Sequence, residues 1–194
     1  MSELEEMGWN AILVGHIPNE CSHEYTERFR ALLDRYQKTI RFSMWGHVHM
    51  DLFKLVGSMA DVSDPIGVFQ LCGAITTWDN GNPSYCVYEM DKATMLPISR
   101  KTYYFDVEAA NETGTPEWKL MTDWTVDFGL PDLSPSSMKA LTDKLEADET
   151  SLVEYMNHAK RNPGYIDSCD EACQLENICA AKYIDPYAYT TCKN

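Results

Sequence analysis

A chain of 194 residues with 44% apolar content is long enough for one compact domain, or one domain with a small appendage, and is not a disordered tail. Its 30 acidic against 16 basic residues give a formal charge of -14, which argues against a nucleic-acid polymer as partner, because phosphate backbones are held by clustered Lys and Arg. No stretch approaches the roughly 18 apolar residues of a membrane span. The acidic balance is a solubility device that would also suit an acidic compartment.

Residues 3 to 7 read as the tail of a helix. Ala11 to Gly15 is a continuous apolar run ending in glycine, the pattern of a strand buried on both faces, and His16 sits just past its end. In α/β folds, ligands and catalytic groups collect at that edge. From Glu24 to Gln37 the residues Tyr25, Phe29, Leu32, Leu33 and Tyr36 form one helical stripe, with Ser22 as N-cap. A second strand begins at Ile40, where Ile40, Phe42 and Met44 alternate with Arg41, Ser43 and Trp45, and it runs into Gly46-His47-Val48-His49.

Residues 52 to 108 read as β segments at Leu52 to Val56, Gly67 to Thr77, Tyr85 to Met90 and Ser99 to Val107, punctuated by the turn at 79 to 83, with antiparallel pairing as the natural outcome. After residue 110 the pattern turns helical. One helix opens at Ser134-Pro135 with Met138, Leu141 and Leu145 on a face, and another near Thr150 carries Leu152, Val153, Met156 and Ala159. The acidic run Glu146, Asp148 and Glu149 reads as a solvated helix end that favours the next N-terminus. Two units follow from this change: residues 1–110 and a helical, cysteine-rich stretch 111–194.

Seven cysteines, with Cys169, Cys173, Cys179 and Cys192 crowded at the C-terminal end, read as a disulfide framework made in an oxidising compartment. A zinc site is the poorer reading of that group, because structural zinc uses close knuckles and the second pair is too widely spaced. Cys72 and Cys86 flank the turn at 79 to 83 and can bridge if the register places them opposite one another. Asn111-Glu112-Thr113 is an N-glycosylation sequon. The N-terminus is acidic where a signal peptide is basic and then apolar, so a secretory chain with this start is expected to have lost an upstream part.

His47 and His49 stand at i and i+2. In an extended segment both project to one side, and in a turning loop each can address one of two adjacent metals. Gly46 before them allows close backbone approach, and Asp51 is placed to orient an imidazole from behind. His16, His47 and His49 are three of the five histidines, gathered at the ends of two strands one helix apart. His23 and His158 fall on helices and read as solvated or packing residues.

The segment ILVGHIP at Ile12 to Pro18, the helix ending Arg35-Tyr36-Gln37 and the segment WGHVHMD at Trp45 to Asp51 together resemble the C-terminal half of the acid sphingomyelinase family, with its sphingomyelinase-like phosphodiesterase relatives. The likeness extends through Asn82 to Tyr88, Trp118 to Leu120, Gly129 to Pro131 and the four C-terminal cysteines. It implies an α/β fold, the C-terminal half of a metallophosphoesterase αββα sandwich carrying a small disulfide-stapled helical subdomain. It also implies His16 and His47 as ligands of one zinc and His49 as a ligand of a second, two zinc ions per complete site, activating water for in-line attack on a phosphodiester. By the same resemblance Trp78 lines the substrate, the alternative being a packed core tryptophan, and Cys169 pairs with Cys173, Cys179 pairs with Cys192, and Cys21 pairs with an upstream cysteine.

The family's Asp-x-His motif, bridging Asp, Gly-Asn-His motif and leaving-group histidine all fall upstream of the matching region and have no counterpart here. The expected function is therefore a metal-dependent, sphingomyelin phosphodiesterase-like hydrolase, secreted or lysosomal. Its acid/base histidine would come from an N-terminal half or companion chain, and its substrate would be a phospholipid or nucleotide phosphodiester. The competing reading is a truncated, non-catalytic relative serving as a structural or interaction module in an assembly that covers the open strand edge.

Overall fold

The computed structural model describes residues 1–18, 23–78 and 81–194. Cys21 and Ser22, read above as a half-cystine and an N-cap, lie outside the described residues, as do Asp79 and Asn80 of the turn. The remainder is a mixed α/β arrangement of eight helices and seven strands.

After a short first helix, α1 (Ser2–Glu6), comes β1 (Ala11–Val14), then α2 (His23–Arg35) and β2 (Ile40–Trp45). The strand–helix–strand connection sets β1 and β2 side by side and parallel, with Val14 opposite Met44. β3 (Leu52–Gly57) and β4 (Pro65–Leu71) form a hairpin, and the four strands run in the order β1-β2-β4-β3. β4, not β3, therefore lies beside β2, and it runs parallel to it. Within residues 52 to 108 the pairing is antiparallel as expected, and the hairpin turns back so that its second arm also joins the parallel set.

β5 (Ser84–Met90), β6 (Pro97–Tyr104) and β7 (Lys119–Asp123) make a separate antiparallel sheet. Strand β6 ends at Tyr104 and a helix, α3 (Val107–Thr113), starts where the strand was expected to continue, because the Asp106 carboxylate accepts from the amides of Glu108 and Ala109. The sheets lie face to face: the ring of Phe42 on β2 is 4.9 Å from that of Tyr88 on β5, and Arg100 on β6 reaches the Leu52 and Leu71 carbonyls of the first sheet. Cys72 and Cys86 form a disulfide with a Cα separation of 6.0 Å. Cys72 follows β4 and Cys86 lies on β5, so the bond joins the two sheets instead of two paired strands.

The chain then builds α4 (Trp124–Asp127), α5 (Pro135–Ala147), α6 (Glu149–Lys160), α7 (Glu171–Lys182) and α8 (Pro186–Cys192). Ser134 caps α5 as its sequence suggests, and Met138, Leu141 and Leu145 are buried. Asp148 ends α5 and caps α6, accepting from the Thr150 and Ser151 amides, and the hydrogen bond from Ser151 holds its carboxyl below the usual range. Cys169 is bonded to Cys173 and Cys179 to Cys192, the pairing that the resemblance implies.

One core gathers Phe53 and Leu55 of β3 with Trp124, Met138, Leu141, Leu145, Leu152, Tyr155 and Ile178, so apolar packing runs continuously across residue 110. A second sits on the opposite face of the first sheet, where Leu33 of α2 meets Val56, Phe69, Leu71 and Ile184. The helical stripe expected on α2 is rotated. Tyr25 and Leu32 are exposed, whereas Thr26, Arg30 and Leu33 are buried, a face that lets Arg30 donate to the Ser58 carbonyl at 2.8 Å.

Candidate metal centre

Because β1 and β2 are parallel neighbours, their C-terminal ends coincide, and the loops that follow are hydrogen-bonded to each other. The Gly15 amide donates to the Met44 carbonyl and the Gly46 amide to the His16 carbonyl, both at 3.0 Å. Gly15 is required by this closeness, since a Cβ there would stand 2.3 Å from the Trp45 ring. At Gly46 an added Cβ would meet the His16 ring at 3.5 Å, an ordinary contact, so the freedom expected of that glycine is not what the packing uses.

His47 and His49 both take left-handed backbone conformations, with φ of 71° and 56°. Few non-glycine residues do so, and such positions concentrate at sites where surrounding structure holds the strain. The twist turns the two side chains differently from an extended i, i+2 pair. His47 Nδ1 comes to 3.4 Å from His16 Nε2, with the rings 5.2 Å apart and nearly perpendicular. His49 is partly buried instead, and its Nδ1 is enclosed without a hydrogen-bond partner. The three imidazoles do not converge on one point as a three-donor cluster.

These features fit zinc. Two Zn–N bonds of 2.0–2.1 Å at a tetrahedral angle separate their nitrogens by about 3.3 Å, close to the His16–His47 spacing. At His49 the enclosed Nδ1, which has no hydrogen-bond partner, is an atom that could hold a metal.

Asp51 departs from its expected role. Its side chain has no accessible surface, forms an ion pair with the equally buried Arg100 and accepts a hydrogen bond from Thr102. The carboxylate is committed to the neighbouring sheet, because Arg100 arrives there to satisfy the Leu52 and Leu71 carbonyls and Gln70 Oε1. Burial pushes the Arg100 guanidinium down to about 9. Trp78 is 72% exposed, which removes the alternative of a core tryptophan. Asn111 lies on α3 and is exposed, the accessibility a glycosylation acceptor needs.

Sequence reasoning missed Arg161. It is fully buried at the end of α6, with a left-handed φ of 52°. Its Nη1 donates to the His49 carbonyl at 2.7 Å and the Ala159 carbonyl at 2.9 Å, and its Nε donates to the Asn82 carbonyl at 2.9 Å. Asn82 answers by donating its side-chain amide to the Arg161 carbonyl. Gly81 is glycine for this reason, as a Cβ would lie 2.2 Å from the guanidinium. Arg161 thus fixes the backbone that carries His49. The only sequence signal was indirect, the Asn82-Pro83 segment noted for its resemblance.

Parallel strands carrying a histidine pair at one sheet edge, a second sheet stacked behind and a disulfide-stapled helical tail make up an α/β scaffold. Residues 68–194 match the family described as the acid sphingomyelin phosphodiesterase C-terminal region, and the chain belongs to that family. It is 29% identical to human acid sphingomyelinase-like phosphodiesterase 3b, an alignment covering 99% of this chain and 46% of the relative. It is 30% identical to sphingomyelin phosphodiesterase B of Dictyostelium discoideum, covering 97% and 31%, and 28% identical to bovine sphingomyelin phosphodiesterase, covering 91% and 29%. The chain therefore spans less than half the length of these curated relatives.

Proposed function

We propose that this chain is the C-terminal part of a metal-dependent phosphodiester hydrolase of the sphingomyelin phosphodiesterase type, secreted or lysosomal, in which His16 and His47 hold one zinc and His49 a second. The observation that carries the reading is the 3.4 Å approach of His47 Nδ1 to His16 Nε2 at the ends of two parallel strands. The names of the relatives supply the reaction class, and three disulfides agree with an oxidising compartment.

Zinc at such a site supplies Lewis acidity toward a phosphoryl oxygen and activation of water. The residues of this chain orient and hold: the paired loops fix His16 against His47, and Arg161 fixes the strand exit bearing His49. Trp78, exposed beyond the Cys72–Cys86 bridge, offers an aromatic face to a substrate. The residue that protonates the leaving group, and the carboxylates that complete the zinc pair, belong to an N-terminal half or companion chain. That partner also covers the edge strand β1, where Ile12 and Val14 are 43% and 72% exposed.

Zinc titration of the chain tests the reading. Removing either imidazole, by His16→Ala or His47→Ala, should weaken zinc binding by more than about tenfold. Unchanged affinity in both variants would overturn the assignment. Assayed with its companion segment, the protein should release phosphocholine from sphingomyelin or hydrolyse a nucleotide diester, and the preferred substrate names the branch of the family.

A further inference from the structure

A second set of donors meets where the first turn of α2 faces the start of α8. His23 and Glu27 stand four residues apart on one face of α2, with Nε2 3.9 Å from Oε1. The Asp185 carboxylate completes a group whose three ligand atoms all lie within 4.8 Å of one another, and no other such group occurs among the described residues.

Asp185 distinguishes this cluster from a chance gathering of surface charge. It is 4% exposed, and one oxygen, Oδ1, caps α8 by accepting from the Ala188 amide at 2.8 Å. The other, Oδ2, is enclosed and has no hydrogen-bond donor. The Arg30 guanidinium forms a buried ion pair with Oδ2 across 3.6 Å, longer than a hydrogen bond, while its Nη1 is engaged with the Ser58 carbonyl. A buried carboxylate oxygen that receives no hydrogen bond is costly even beside one guanidinium, and a metal ion bonded directly to it would relieve that cost.

We propose that His23, Glu27 and Asp185 bind one divalent cation of the zinc type, which clamps α2 to α8. One imidazole nitrogen and two carboxylate oxygens form a donor set that zinc accepts, with water in the fourth position, whereas calcium and magnesium favour oxygen alone. Zinc bonds of 2.0–2.2 Å require neighbouring donors about 3.3 Å apart. Closing the 3.9 Å gap asks only for small side-chain rotations of His23 and Glu27, both about half exposed, while Asp185 is fixed by its cap. Two carboxylates against the single Arg30 leave a net negative charge facing the cation, and Arg30 keeps the site weaker than an all-anionic one. The clamp joins the helix that follows the His16 loop to the disulfide-stapled tail. It does not rest on the role assigned to His16, His47 and His49.

The test uses the full chain with its disulfides intact, in a His16→Ala, His47→Ala, His49→Ala background that removes the imidazoles of the first site. Cobalt(II), followed by its visible absorption, should bind at one equivalent per chain and be displaced by zinc. His23→Ala, and separately Glu27→Gln, should weaken that binding at least tenfold. Both residues are exposed enough to be replaced without unfolding the chain, so they decide the matter, and Asp185→Asn, which also touches the α8 cap, only corroborates. Failure to bind cobalt in the background, or binding indifferent to both α2 substitutions, would overturn the proposal. Neither outcome bears on the catalytic reading, which is judged by His16→Ala and His47→Ala alone.

Discussion

The histidine edge and the buried charges behind it are built on opposite terms. His16 and His47 are exposed and meet each other at the sheet edge, whereas Asp51, a few residues further along the same chain, has no accessible surface and is locked to Arg100 on the other sheet. Chemistry is displayed where packing is thin, and the loops displaying it hold their shape because charges beneath them tie the backbone of one sheet to the other. Exposed imidazoles can then be exchanged at little cost to the fold, while the ion pair cannot.

The largest effect should follow Arg100→Met. It strands the Asp51 carboxylate, and breaking a fully buried pair from one side costs about 3–5 kcal/mol. Urea denaturation measures it, and a loss below about 1 kcal/mol would mean that the pair is not what couples the sheets. The paired substitution Cys72→Ser with Cys86→Ser comes next, since freeing a loop with a sequence separation of 14 removes about 3 kcal/mol of constraint on the unfolded chain. His16→Ala should shift stability by no more than about 0.5 kcal/mol while zinc affinity falls more than tenfold, which separates display from support within one variant.

The smallest effect concerns His158, packed with its ring 5.7 Å from that of Phe128. Burial lowers its folded-state value below the ordinary 6.5, against the opposing pull of Glu154 and Asp127. The unfolded chain then takes up a proton before the folded one does. Stability is full above about pH 6.5 and declines as pH falls from there toward the lowered value. His158→Gln should flatten that part of the stability–pH curve, and an unchanged slope would show that another group sets it.

Legibility in the sequence follows the same division. Two apolar runs, each ending in Gly-His and separated by one helix, announce parallel strands and the edge they share, so the histidine pair is readable from local pattern. Arg100 and Arg161 carry no such mark, because a lone cation in a strand or at a helix end acquires its role only from residues far along the chain. β7 was hidden for a related reason: Lys119–Asp123 has little alternation of its own and becomes a strand by pairing with β6. The buried face of α2 was misread because polar Thr26 and Arg30 occupy it, and only the Ser58 carbonyl and Asp185 explain why. His23 and Glu27 are visibly four apart in the sequence, but the third donor comes from the other end of the chain.

Arg161 has a further consequence, for the timing of synthesis. The guanidinium that holds the His49 carbonyl lies 112 residues downstream of it. While the ribosome is making the strands, the imidazoles are already present but the brace that shapes their loop has not been translated. The edge can take its final form only after α6 has emerged and docked, so a ribosome stalled before that helix would display all three histidines on a loop still waiting for its shape.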